Sequence, residues 1–257
     1  MKSPLAYIDP HAKLGIGVVI EPFACIHGDV IIGDGTWIGS GAVIYDGARI
    51  GRNCRIFNGA SVSAIPQDLK FMGEETTLEI GDHTTVREFA TLNRGTSAKG
   101  KTVIGSHCLL MAYTHVAHDS IIGDHVIMVS YSGVAGEVEI GEWAILGGGV
   151  MAHQFARVGA HAMVGGGSKV RLDVPPFIKA DREPMSYMGI NSVGLERRGF
   201  SKDKINELHE IYRAYYNMGK NGSQAIEYIE ASFAPTAERD HILKFIKESP
   251  RGVIRGR

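Results

Sequence analysis

Aliphatic side chains recur at every sixth residue through most of this chain, and this period constrains the fold more than any other feature. The frame begins at Ile8 and ends at Val170, with interruptions after Val62 and Leu92. Of its 25 positions, 24 hold Leu, Ile, Val or Met. A period of six fits neither the 3.6 residues of an α-helix nor the two residues of a plain strand. It is typical of a hexapeptide β-helix, in which three hexads make one coil and each coil buries its apolar face on the next.

The repeat divides the chain into two predicted domains. We expect a parallel β-helix over residues 1–176, with loops inserted at about residues 64–79 and 96–103. The sequence Asp-Val-Pro-Pro at 173–176 is expected to end the ladder, because proline has no N–H to donate within a central strand. In residues 177–257 apolar residues follow helical spacing, which predicts a small α-helical domain with N-caps at Ser201, Ser223 and Thr236.

Composition and charge exclude several classes of protein. The formal net charge of −1 argues against a general nucleic-acid binder, which would carry a basic excess. No apolar run reaches the roughly 18 residues that span a bilayer, and the N-terminus has no apolar stretch typical of a signal peptide. The three cysteines, Cys25, Cys54 and Cys108, are far apart and suit a reducing compartment. We therefore expect a cytoplasmic protein with no nucleic-acid partner and no stable membrane insertion.

The repeat also predicts which polar residues lie together. Residues 18 apart occupy adjacent coils, so His118, Gly136 and Gln154 should form one column, with His153 in the next. A histidine can act as a base near neutral pH, and a glycine exposes its backbone N–H without a side chain in the way. Asp119 follows His118 directly and could orient it. This pattern favours a site with one base and one backbone donor.

Other interpretations of these residues remain open at this point. A single histidine is more often a packed or surface residue, and that interpretation is favoured for His115. Zinc binding by His115, His118 and His153 is a rival, but no spacing brings three imidazoles together within one chain, so no metal site is predicted. The pair Arg197 and Arg198 is typical of a solvated surface, although arginine also suits bidentate phosphate contacts.

Seven segments carry a resemblance to a known family, from end to end of the chain. In their order and spacing they resemble the UDP-N-acetylglucosamine O-acyltransferases of lipid A biosynthesis. The segments are IPQDLK (65–70), NRGT (93–96), HVAHD (115–119), GGGVMAHQF (147–155), GAHAMVGG (159–166), DVPP (173–176) and NSVGLERRGF (191–200).

The resemblance implies a mainly β fold, a left-handed parallel β-helix of hexapeptide repeats followed by a small C-terminal α-helical domain. It implies a soluble homotrimer without a metal or redox cofactor. Its partners would be an acyl carrier protein that bears a 3-hydroxyacyl chain and UDP-N-acetylglucosamine. The enzyme would move that chain to the sugar's 3-hydroxyl, the first step of lipid A biosynthesis.

The resemblance also assigns roles to residues. His118 matches the family's general base, Asp119 the residue that supports this base, and Gly136 the backbone donor to the oxyanion. Asn191 and Arg198, with Arg197 beside it, match the region that holds the UDP part, and Gly166 matches the position that limits acyl-chain length. The candidate substrate-binding residues are Asp68, Lys70, His115, His153, Gln154, Gly166, Asn191, Arg197 and Arg198.

Three positions depart from the family pattern. Asn93 and Glu137 stand where a histidine is common, and Val193 replaces an acidic residue near the UDP-binding segment. Two alternative functions share the β-helix. The N-acyltransferase of the same pathway has an extra N-terminal domain, for which a frame that starts at Ile8 leaves no space, and a hydratase of the γ-carbonic anhydrase type needs a metal. A third alternative, a purely structural β-helix, has no need of a His-Asp pair.

Overall fold

The hexapeptide frame folds into a three-sided parallel β-helix in a computed structural model that describes residues 1–256. Its strands are short, most of them two residues long, and one strand follows another in nearly every hexad. The second residue of each two-residue strand points inward. The largest fully buried side chains therefore include Ile20, Ile26, Ile32, Ile38 and Ile44 from successive hexads.

The strands are β1 (Tyr7–Ile8), β2 (Lys13–Leu14), β3 (Val19–Ile20), β4 (Cys25–Ile26), β5 (Ile31–Ile32), β6 (Trp37–Ile38), β7 (Val43–Ile44), β8 (Ala48–Ile50), β9 (Arg55–Ile56), β10 (Ser61–Ala64), β11 (Thr77–Ile80), β12 (Thr85–Val86), β13 (Thr91–Asn93), β14 (Lys101–Ile104), β15 (Leu109–Leu110), β16 (His115–Val116), β17 (Ile121–Ile122), β18 (Ile127–Met128), β19 (Gly133–Val134), β20 (Glu139–Ile140), β21 (Ile145–Leu146), β22 (Met151–Ala152), β23 (Arg157–Val158), β24 (Met163–Val164), β25 (Lys169–Val170), β26 (Ile178–Asp181) and β27 (Ser186–Ile190).

Every third strand joins the same sheet, which gives three sheets and three edges. Sheet I runs from β1 to β25, sheet II from β2 to β23, and sheet III from β3 through β24 to β26 and β27. Regular coils pair residues 18 apart, as in Ile8 with Ile26 and Val116 with Val134. We call the corners where the chain passes from one sheet to the next the I–II, II–III and III–I edges.

Both insertions leave the prism at the I–II edge, and both are shorter than predicted. The loops cover residues 65–76 and 94–100, because β11 begins at Thr77 and β14 begins at Lys101. Strand pairing continues across them, with Val62 opposite Leu92 and Leu92 opposite Val116. The loops are therefore expanded corners, and the sheets beneath them are uninterrupted.

The prediction that residues 173–176 end the parallel ladder is wrong. Strand β26 pairs in parallel with β24, with Val164 opposite Ala180, and Val174 forms a bridge with Val158. These partners are 16 residues apart, whereas Ala152 and Val170 are still 18 apart, so the coil loses two residues between Val170 and Val174. Pro175 and Pro176 lie in the corner between Val174 and β26, where the ladder needs no N–H from them. The antiparallel strand β27 then closes sheet III.

Four helices follow the last strand. They are α1 (Ser192–Arg197), α2 (Lys202–Tyr216), α3 (Gly222–Ser232) and α4 (Ala237–Lys247). The predicted caps Ser201 and Thr236 are confirmed for α2 and α4. The predicted cap Ser223 is wrong, because Asn221 and Gln224 form a capping box that starts α3 two residues earlier. None of the helices in residues 1–256 has the length and apolar composition needed to cross a bilayer.

Candidate active site

The I–II edge brings together the two inserted loops and the predicted column of polar residues. His118 and Asp119 form the corner between β16 and β17, and Gly136 lies in the equivalent corner one coil further on. Gln154 occupies the next coil, where the N–H of Phe155 donates to the Gly136 carbonyl at 3.2 Å. The structure thus confirms the stacking of His118, Gly136 and Gln154 that the repeat predicts.

The His118 imidazole is held by its neighbour in sequence. Its Nδ1 lies 2.8 Å from Oδ2 of Asp119, and both side chains are buried. Adjacent residues can meet here because Asp119 has a left-handed backbone, with φ of 61°. The N–H of Asp119 donates to the Thr102 hydroxyl at 2.8 Å, which fixes the corner. The pair therefore has the geometry of a base oriented by a carboxylate.

The Asp119 carboxylate is ionised despite its burial. Burial alone would raise its pKa, but hydrogen bonds from the Thr96 hydroxyl, from His118 and from the N–H groups of Thr96 and Lys99 hold the pKa below its ordinary value. A negative charge next to His118 stabilises the imidazolium that forms when the ring takes up a proton. The residue with the shortest contact to Asp119, Thr96, was not among the predicted site residues, although it belongs to the segment NRGT.

Gly136 lies directly against the imidazole. A Cβ at this position would be 2.6 Å from Cε1 and 2.7 Å from Nε2 of His118, so the site has no room for a side chain. Within residues 1–256 the Gly136 N–H has no hydrogen-bond acceptor. A free N–H donor next to an imidazole suits the binding of an oxyanion.

The first inserted loop carries Asp68 and Lys70 to the same place. Oδ2 of Asp68 lies 3.8 Å from Nε2 of His118, on the side of the ring opposite Asp119. The N–H of Lys70 donates to Oδ1 of Asp68 at 3.0 Å, and the Lys70 side chain is exposed. The amide of Asn93, one of the departures from the family pattern, donates to the Ile65 carbonyl at 3.1 Å and so holds the start of this loop.

Two further predicted histidines lie on either side of this centre. Nδ1 of His115 is 2.8 Å from the Thr91 hydroxyl, and burial, with a smaller effect of His118, lowers the pKa of His115. His153 is exposed, and its Nδ1 lies 3.1 Å from a guanidinium nitrogen of Arg251 in the C-terminal segment. His115 therefore has the character of a neutral, half-buried residue, whereas His153 faces solvent.

The predicted UDP-binding residues lie at a different edge. Left-handed corners along the II–III edge carry a stack of rings: His83, His107, His125, Trp143, His161 and Phe177.

Arg198 and Asn191 are anchored on this stack. The Arg198 guanidinium lies 5.2 Å above the Trp143 ring and 3.3 Å from Nδ1 of His161. The Asn191 amide donates to the His161 carbonyl at 3.0 Å. Burial, and then the charges of Arg198 and His241, lower the pKa of His161 to about 4, so this ring is neutral and can accept a hydrogen bond.

Two predicted site residues remain, Arg197 and Gly166. Arg197 is exposed at the end of α1, next to Arg198. Gly166 is exposed at the III–I edge, where a Cβ would meet only backbone atoms of Gly148, the nearest at 3.1 Å. In one chain, the predicted residues therefore occupy all three edges. Of them, Asp68, Asp119 and Gly136 lie against the His118 imidazole.

The metal-site alternative finds no arrangement of ligands in the part of the chain that the structure describes. Residues 1–256 contain no group of three or more His, Cys, Asp or Glu side chains placed to hold a metal ion. His115 and His153, which the alternative requires, bond instead to Thr91 and Arg251.

Comparisons with known proteins agree along the whole chain. A family model described as UDP N-acetylglucosamine O-acyltransferase, domain 2, matches residues 173–254, and the bacterial transferase hexapeptide model matches residues 29–64 and 101–136. The chain is 48% identical over 255 residues to an acyl-[acyl-carrier-protein]–UDP-N-acetylglucosamine O-acyltransferase of Trichlorobacter lovleyi, with 98% of each covered. It is 58% identical over 192 residues to that of Chlorobaculum parvum, which covers 74% of this chain and 73% of the relative.

The solved structures give the same result. A UDP-N-acetylglucosamine acyltransferase from Bacteroides fragilis superimposes with a TM-score of 0.98 at 49% identity, covering 99% of this chain and 100% of the other. One from Acinetobacter baumannii gives a TM-score of 0.95 at 41% identity, with 99% of each chain covered.

Proposed function

The chain belongs to the acyl-[acyl-carrier-protein]–UDP-N-acetylglucosamine O-acyltransferase family, and from this premise we propose that it catalyses that reaction with His118 as the base. A 3-hydroxyacyl group moves from acyl carrier protein to the 3-hydroxyl of UDP-N-acetylglucosamine, the first step of lipid A biosynthesis. The observation that supports this most strongly is the buried His118–Asp119 pair beneath the free N–H of Gly136.

The chemistry follows from the roles of the two ring nitrogens. Asp119 accepts the proton of Nδ1, so Nε2 carries the lone pair and takes the proton of the sugar hydroxyl. The oxygen attacks the thioester carbonyl, and the Gly136 N–H stabilises the oxyanion. When the C–S bond breaks, the imidazolium returns the proton to the thiolate, which leaves an ester and a free thiol. The scheme uses no metal or redox cofactor.

Substrate contacts extend from this centre along the proposed site. Asp68, Lys70, His153 and Gln154, which belong to the I–II edge, would contact the sugar. Asn191, Arg197 and Arg198 would hold the UDP part, since guanidinium groups bind phosphate oxygens in bidentate fashion. Gly166, with no side chain, would leave room for a long acyl chain at the III–I edge.

The proposed substrate contacts lie at different edges of one chain, so they can form a single site only if neighbouring chains each contribute one edge to it. This arrangement supports a homotrimer. The outer face of sheet III carries an apolar stripe formed by Leu109, Ile127, Ile145 and Met163, the kind of surface that subunit interfaces cover. The free cysteines Cys25, Cys54 and Cys108 suit the reducing cytoplasm, which we propose as the location of the enzyme.

Product analysis tests the function directly. The protein would be incubated with UDP-N-acetylglucosamine and a series of acyl carrier proteins, and the products identified by mass spectrometry. We expect an O-acylated sugar nucleotide, whereas transfer only to an amine acceptor would show the N-acyltransferase reaction and refute the proposal.

A second measurement tests the base and the assembly. His118→Ala should fold, sediment as the wild-type trimer does and lose about 10²- to 10⁴-fold in turnover, the usual contribution of a general base. Turnover near the wild-type value would show that His118 is not the base. Sedimentation of the wild-type protein as a monomer at assay concentration, with full activity, would exclude the shared site.

A further inference from the structure

The second inserted loop supplies most of the hydrogen bonds to the Asp119 carboxylate. Oδ2 accepts from the Thr96 hydroxyl at 2.6 Å and from His118 at 2.8 Å. Oδ1 accepts from the N–H groups of Thr96 at 3.0 Å and Lys99 at 3.2 Å. Three of the four donors therefore come from residues 94–100, the segment that interrupts the hexapeptide frame.

The direction of the Thr96 bond is fixed by its surroundings. The hydroxyl oxygen accepts the N–H of Ala98 at 3.2 Å, so its single proton is available for Asp119. A carboxylate that accepts four hydrogen bonds is stable without a proton of its own. His118 must then carry a proton on Nδ1, and its Nε2 lone pair faces the side of the ring where Asp68 lies.

Loss of the Thr96 hydroxyl would change the behaviour of the pair. Asp119 has no exposed surface, and burial favours the neutral carboxyl. With one strong donor fewer, the carboxylate becomes more basic, and the His118–Asp119 pair holds an added proton more tightly. The protonated pair has two possible forms: hydrogens on both ring nitrogens, or one hydrogen on the carboxyl and one on Nε2. In both forms Nε2 carries a hydrogen and cannot act as a base.

We propose that Thr96 is a positioning residue for acyl transfer, whose hydroxyl keeps Asp119 ionised and His118 in the tautomer with a free Nε2. The expected loss of rate rests on the proposed function. The expected tautomer of His118 rests on the hydrogen-bond network alone. It also gives the second insertion a role: the loop departs from the hexad frame to bring donors beneath a buried carboxylate.

The loop is built to hold Thr96 in place. The Thr96 carbonyl accepts the N–H of Gly100 at 2.7 Å, a bond that joins the middle of the loop to its end. The Gly95 carbonyl accepts the Thr76 hydroxyl at 2.6 Å, and the Gly95 N–H donates to the Thr77 carbonyl at 3.1 Å. The two insertions are thus bonded to each other next to the catalytic pair.

The test compares Thr96→Val, which removes the hydroxyl at nearly constant volume, with Thr96→Ser, which keeps it. Thr84→Val is the matched control, because the Thr84 hydroxyl is also buried, donates to the Gly105 carbonyl and accepts the N–H of Cys108, away from the site. For Thr96→Val we expect kcat to fall about 10- to 100-fold, the usual effect of a lost hydrogen bond to a charged group, with KM for the sugar nucleotide within about twofold.

The pH profile separates positioning from a merely structural role. In Thr96→Val the acid limb of kcat/KM should move to higher pH, because the pair takes up its extra proton more readily. Thr96→Ser should restore rate and profile, and Thr84→Val should lower the melting temperature without changing either. A Thr96→Val enzyme with the wild-type profile, or a Thr84→Val enzyme with the same kinetic loss, would overturn the proposal.

A measurement on the wild-type protein tests the tautomer without any assay of activity. With ¹⁵N-labelled histidine, the NMR shifts of His118, assigned by comparison with His118→Ala, should show a protonated Nδ1 and an unprotonated Nε2 at neutral pH. The opposite pattern would overturn the role of Thr96 even if the enzyme is active. If the protein shows the expected shifts but transfers no acyl group to UDP-N-acetylglucosamine, the hydrogen-bond network is supported and the proposed function is refuted.

Discussion

Replacement of Gly136 by alanine is the most direct way to displace the proposed base, His118, without removing it. The new Cβ would be 2.6 Å from Cε1 and 2.7 Å from Nε2 of His118. Carbon atoms in contact are normally about 3.5 Å or more apart, so the ring has to move by close to 1 Å. The backbone N–H of residue 136 is unchanged. The substitution therefore separates the position of the proposed base from the presence of the proposed oxyanion donor.

The size of the effect follows from that displacement. A shift of about 1 Å in a reacting group can cost about 100-fold in rate. It also breaks the 2.8 Å bond between Nδ1 and Asp119, and overpacking of a buried site typically costs about 1–3 kcal/mol of stability. We expect Gly136→Ala to fold, to melt at a lower temperature and to lose roughly two orders of magnitude in kcat.

The assay is steady-state acyl transfer to UDP-N-acetylglucosamine, and Gly28→Ala is the control. Gly28 occupies the equivalent corner of the same edge near the open end of the prism, and its Cβ would meet only the Asp9 carboxylate, at 3.2 Å. This variant should have the wild-type rate.

A double-mutant cycle with His118→Ala decides whether the clash is the cause. Once the imidazole is gone, the Cβ has space, so Gly136→Ala should cost little further activity in that background. An equal loss with and without His118 would show that the substitution acts on the backbone donor, and the steric reasoning would be refuted.

Three other expectations follow from the same structure. Gly166→Met should shorten the preferred acyl chain, and an unchanged product profile across acyl carrier proteins would show that Gly166 does not limit chain length. The pKa of His161 is lowered to about 4, so the fold should become less stable as pH falls from about 6.5 to 4, because the unfolded chain takes up a proton that the folded chain does not. Urea unfolding should show that His161→Phe loses about 3 kcal/mol less stability than the wild type over this range, and an equal loss in both would refute the assignment. Trp143→Ala removes the ring beneath Arg198 and should weaken UDP-N-acetylglucosamine binding about 3- to 10-fold by calorimetry; unchanged affinity would show that Arg198 needs no such support.

Much of the fold was predictable because the hexad frame specifies both the strands and their register. Val116 pairs with Val134, as a period of 18 residues requires, and the same arithmetic places Gly136 on His118. The ladder beyond Val170 was not predictable from the period, because the chain loses two residues between Val170 and Val174 and the frame shifts. The start of α3 was mispredicted because Asn221 and Gln224 compete with Ser223 for the cap.

The hydrogen-bond network of the proposed active site was predictable only in part. Column arithmetic identified His118 and Gly136, but it says nothing of residues 65–76 and 94–100, which have no period. The bonds from Thr96 to Asp119 and the approach of Asp68 to His118 depend on loop conformations that no spacing rule describes. Likewise, residues 191–200 lie outside the frame, so their place beside His161 could not be deduced from it.

The distribution of the candidate residues over three edges has a genetic consequence. If each site combines the His118 edge of one chain with the Arg198 edge of its neighbour, two chains with different defects can complement each other. Coexpression of His118→Ala and Arg198→Ala chains, each inactive alone, would restore about a quarter of the sites when the chains assemble at random. For the same reason, a damaged copy of the gene would inactivate only those sites to which its product contributes the missing edge, so an assembly of mixed chains would retain part of its activity.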